Sequence, residues 1–174
     1  LALVFRERGD HTKIISSSDF YIDGGNNSVV QTLVDSIASQ DGQEHLREVA
    51  QRNLEEVRSS GANVEWAREI ITSIWMHSMS PGRSKGAKAA EIQLALTANN
   101  IVDDNNFRVQ LGNLVENSMN IHDDSNSQLF WFEREENPRA KVKVNARNDR
   151  LWQTGATGVD ATHHHARRRL ARLH

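Results

Sequence analysis

Apolar residues at helical spacing dominate the middle of the chain. After Asn27 and Ser28, either of which can cap a helix, Val30, Leu33, Val34 and Ile37 recur every three or four positions as far as Ser39. A second stripe of Leu46, Val49, Ala50, Leu54 and Val57 begins near Asp41 and stops in "RSSGAN", where Gly61 offers a terminator. Asn63 is the expected cap of a third helix, "VEWAREIITSIWMHSM", with Ala67, Ile70, Ile71, Ile74, Trp75 and Ser78 along one face. "SPGRSKG" breaks that helix, and "AKAAEIQLALTA" predicts a fourth with Ala89, Ile92, Ala95 and Leu96 inward. Asp103 or Asp104 then caps a fifth, which carries Phe107, Leu111, Leu114, Val115 and Ser118 in phase.

Strand patterns flank this helical stretch. In residues 1–25 the short apolar pieces "LALVF", "KIIS" and "DFYID" are separated by the turn "RERGDHT" and closed by Gly24-Gly25, which predicts two or three short strands. Further on, "SMNIH" and "QLFWFE" surround the polar turn "DDSNS" and predict a hairpin. Leu129 and Trp131 would share one face of it and Phe130 and Phe132 the other, whereas a one-sided ribbon alternates with polar residues. Both faces therefore call for cover, either from residues 1–62 or from a neighbouring domain. Phe130 and Phe132 become candidates for an interaction surface.

Past the hairpin the chain turns charged through "EREE". Asn137 as cap and Pro138 at the first helical position start a helix in "PRAKVKVNARNDRLW", although the alternation of Val142 and Val144 suits a strand. Three helices with short loops followed by a two-stranded ribbon is the order of a winged-helix domain. The expected fold class is thus α+β, mainly helical, with a winged-helix core of three helices plus a β-wing and an N-terminal strand/helix layer. The corresponding divisions are residues 1–62 for the layer, 63–136 for the winged helix, 137–154 for a C-terminal helix or strand, and 155–174 for a tail.

Composition changes the picture in two places. With 37% hydrophobic and 25% charged residues the chain has the makeup of an ordinary globular protein, and with no cysteine it has no disulfide, thiol nucleophile or cysteine-ligated zinc. That absence suits a reducing compartment, so a cytoplasmic location is expected, and no apolar run is long enough to span a membrane. The start at Leu1-Ala2-Leu3, without Met or a charged leader, reads as the cut end of a larger protein. The tail "GATGVDATHHHARRRLARLH" reads as vector-derived or disordered. Its four arginines against Asp160 contribute +3 to a total of −2, which leaves −5 on residues 1–154.

Candidate chemistry is sparse. "PGRSKGAK", residues 81–88, sets Arg83, Lys85 and Lys88 around a Gly-rich turn at a helix start, but a phosphate-binding P-loop needs G-x-x-x-x-G-K-[ST] after a buried strand. "RERGDHTKIISS" gathers Arg8, Asp10, His11, Lys13 and Ser16 to Ser18 without specifying the base and oxyanion hole that a nucleophile requires. His11, His45, His77 and His122 show no metal-ligand spacing, and His163 to His165 would bind metal only adventitiously. No catalytic, cofactor or metal site is expected. For nucleic acid, the helix that winged-helix proteins insert into a groove carries Asp103, Asp104 and Glu116 against Arg108, and the wing turn adds Asp123 and Asp124. Phosphates would be repelled there. The basic strip Arg139, Lys141, Lys143, Arg147 and Arg150 is the alternative, and contact through it would be largely independent of base sequence.

The run "AEIQLAL", the preceding "IITSIWMHSM", the leucine-bearing helix after them and the ending "LFWFEREENPRA", sharpest at Phe132, Glu136, Asn137 and Pro138, resemble the winged-helix segment of large, poorly characterised AAA-type P-loop ATPases. Such ATPases are commonly encoded beside restriction and phage-defence genes. The resemblance covers about residues 64–146. It implies a non-catalytic module, acting as a lid or a protein-interaction platform, whose partners are other domains of the parent or another protein. ATP and magnesium would belong to an upstream core, and none of that core's catalytic residues maps onto this chain. The second expectation is a nucleic-acid-binding domain that uses the basic strip.

Overall fold

The helix with apolar residues on more than one face takes the centre of the molecule. A computed structural model describes residues 14–23, 28–39, 44–80 and 85–146, together with Ala2, Val4 and Arg6. Its helices are α1 (Ser28–Ala38), α2 (Glu44–Ser59), α3 (Ala67–Ser78), α4 (Ala89–Thr97), α5 (Asp104–Glu116) and α6 (Pro138–Ala146). Its strands are β1 (Ala87–Lys88), β2 (Ile121–Asp124) and β3 (Leu129–Phe132). The structure is mainly helical, with one small antiparallel sheet in the order β1-β3-β2.

α3 is the hub. Ile70, Ile71, Ile74 and Trp75 are fully buried, and so are the polar Thr72 and Ser73 on its other side. A 3₁₀ turn at Ser17–Phe20 covers that side and explains the two hydroxyls: Ile22 N donates to Thr72 Oγ1 at 2.9 Å, and Ser17 and Ser73 share a hydrogen bond of 2.9 Å. Ser16 and Ser18 both donate to Ala95 O of α4. All three serines are thus used as fasteners, while Arg8, Asp10, His11 and Lys13 lie outside the described residues.

Three expectations need correction. The described residues of the N-terminal layer contain no strand, since Ala2 and Val4 are helical and "DFYID" runs from the 3₁₀ turn into a bend. Short apolar pieces fit a helix face as well as a strand, and periodicity over four or five residues does not separate them. Asn63 does not cap α3. The helix begins at Ala67 with Trp66 in the cap position, and Gln110 of α5 reaches across to accept from Glu65 N at 2.8 Å. Finally, Ala87 and Lys88 leave the fourth helix and become β1, paired antiparallel with β3 through Ala87–Phe130 and Lys88–Leu129. Gly86 makes this approach possible. Its φ is +111°, and a side chain there would strike the Phe130 carbonyl oxygen and sit 2.9 Å from Trp131 Cβ.

The remaining helices follow their stripes. Val30 and Val34 of α1, and Leu46, Val49, Ala50, Leu54 and Val57 of α2, are buried in the same apolar cluster as Phe107, Leu111 and Leu114 of α5. Asp103 caps α5 by accepting from Asn106 N at 2.9 Å. Asn137 caps α6 by accepting from Arg139 N at 3.0 Å, so the helical reading of this segment holds over the strand alternation. The hairpin forms with β2 displaced toward Asp123 and Asp124 and with residues 125–128 as its turn.

A buried amide pair joins α2 to the hairpin. Asn53 donates through Nδ2 to Asn120 Oδ1 at 3.0 Å, and Asn120 N returns a bond to Asn53 Oδ1 at 3.0 Å. Asn120 Nδ2 continues to Arg134 O, and Arg52 adds a donor to Asn120 Oδ1 at 3.3 Å. The network places α2 against the base of the hairpin.

Candidate functional site

β3 divides its aromatic side chains unequally. Phe132 is 0% exposed and sits in the core, with its backbone N–H held by Ser78 Oγ at 2.9 Å. It offers no surface. Phe130, two residues earlier on the same face, is only half-buried and forms part of the floor of an open groove. Trp131 points to the opposite side, where it stacks on His122 at 5.9 Å between ring centroids and donates to Glu133 Oε1 at 2.9 Å. The expected second face therefore exists, and local partners cover it in part.

The groove has a volume of about 470 Å³, within the range of ligand and peptide clefts. It runs along α5 from Asp104 to Glu116 and is walled by the start of α4, by the hairpin and by α6. Phe107, Leu111, Val115, Phe130 and Ala140 supply its apolar lining. Gly112 also faces it. This glycine is helical, has no positive φ, and a Cβ added to it would meet nothing within 4 Å. It therefore costs α5 about 0.5–1 kcal/mol relative to alanine without any demand from the backbone or the packing.

The rim is charged but balanced: Asp104, Glu116 and Asp123 stand against Arg108, Arg139 and Lys143. Arg108 pairs with Asp104 at 3.0 Å, and Lys143 pairs with Glu116 at 3.1 Å across the contact of α6 with α5. Arg139 and Asp123 have no ion-pair partner among the described residues. Of the basic strip, Lys141 is also engaged, with Glu136 at 2.6 Å, and this contact pulls the Glu136 carboxyl below its ordinary range. Arg147 and Arg150 lie outside the described residues. At the hairpin turn, hydrogen bonds from Ser127 and Asn126 favour the ionised Asp124 carboxylate and lower its pKa.

A second cleft, of about 870 Å³, lies between α2 and residues 134–141 and is lined mostly by charge, including His45, Arg52, Arg134 and Lys141 against Glu48 and Glu135. It has little apolar floor. Near it, Glu56 is half-buried with one carboxylate oxygen unpartnered, and burial raises its pKa. Among the described residues no group of three His, Asp or Glu side chains is placed to hold a metal ion, and no helix is long and apolar enough to cross a membrane. The sequence pointed to Phe130 and Arg139. It did not indicate the groove, because four separate elements build it, although a glycine on the exposed side of an amphipathic helix was a legible sign.

No protein-family model, curated protein or solved structure matches the chain.

Proposed function

We propose that the chain is a non-catalytic winged-helix module of a larger ATPase, serving as a lid or a protein-interaction platform. The order helix, short strand, two helices and hairpin, with β1 added to the free edge of β3, supports the winged-helix reading of residues 67–132. The observation that carries the function is the groove: the wing side of α5 offers an apolar floor with a neutral, largely self-paired rim. Such a surface suits protein contact. A duplex reader needs unpaired cations facing phosphate, and here two of the three described cations of the strip are already paired.

The second reading, nucleic-acid binding through Arg139 and the residues after it, is favoured by the absence of an ion-pair partner for Arg139 among the described residues. Fluorescence anisotropy with a labelled duplex, using a chain ending at Gln153, separates the two. The platform reading expects no retention at physiological salt. Binding that falls steeply with salt and is lost in Arg139→Glu would overturn it.

A further inference from the structure

We draw no further inference here: the strongest candidate, the groove between α5, the hairpin and α6, has Phe107, Leu111 and Ala140 already buried in its floor and only Val115 and Phe130 half-buried, and nothing in the structure shows what covers it.

Discussion

Two seams of this molecule are built in opposite ways. Where α2 meets the base of the hairpin, Asn53 and Asn120 exchange amide hydrogen bonds in a buried interface, and the side-chain amides of that pair are each met by other residues of the chain. Along α5 the charged atoms of the rim are outside and largely paired with one another, and of the apolar residues between them Phe107, Leu111 and Ala140 are buried while Val115 and Phe130 are only half-buried. The first seam fixes the register of two elements, because buried amides tolerate no sliding. The second leaves shape and apolar surface available. Phe132 and Phe130 show the same division within one strand, one ring inside the closed side and the other at the open side.

Breaking the closed side should cost most. Phe132→Ala is expected to lose about 3–5 kcal/mol through cavity formation, measured as a fall in the denaturant midpoint at constant m-value. Next comes Asn53→Ala, which strands a donor and weakens an acceptor on Asn120, for a loss of about 2 kcal/mol in the same experiment. Phe130→Ala should cost about 1 kcal/mol, since its ring is only partly removed from water. If Phe130→Ala proves as damaging as Phe132→Ala, the two sides are not different in kind. Gly112→Ala should raise stability by about 0.5–1 kcal/mol, the gain left unused by a glycine in an unconstrained helical position.

The smallest effect is a dependence on pH from Glu56. Burial raises its folded pKa above the ordinary value of 4.5, so the folded state binds this proton more tightly than the unfolded state does. Its contribution is therefore fully present below pH 4.5 and is lost as the pH rises through the raised folded value. Glu56→Gln should match the parent protein in acid and exceed it slightly at neutral pH, where the parent must bury part of a charge. Paired denaturant melts across that range read the difference, and a constant offset at every pH would assign the effect to packing instead.

Long amphipathic stripes were legible in the sequence wherever they exceeded about two turns, because a helix of that length repeats its pattern often enough to exclude a strand. That is why Leu46 to Val57 and Phe107 to Leu114 appear where their spacing put them. Shorter signals failed for a physical reason. Two residues, Ala87 and Lys88, carry no periodicity, and only the distant partner β3 turns them into a strand. Asn63 has the chemistry of a cap, but Gln110 performs the service from another helix, which no local rule anticipates. The candidate site was half legible: aromatic crowding at residues 129–132 announced a strand that needs cover on both faces, yet alternation alone could not say that Phe132 would be sealed and Phe130 left at the floor of the groove.

The pairing of β1 with β3 also sets a timetable. Position 87 meets position 130 across a chain segment that contains all of α4, α5 and β2. A sheet closed over so long a loop gains its hydrogen bonds only after the intervening helices have shortened the distance, since the entropy of closure is spent before the contact rewards it. The hairpin of β2 and β3 is local and can form early; its third strand must wait. During synthesis the first half of the chain would then hold Gly86 and its neighbours as an unpaired edge until Phe130 has been made, and the sheet would be complete only when almost the whole of the described chain is available.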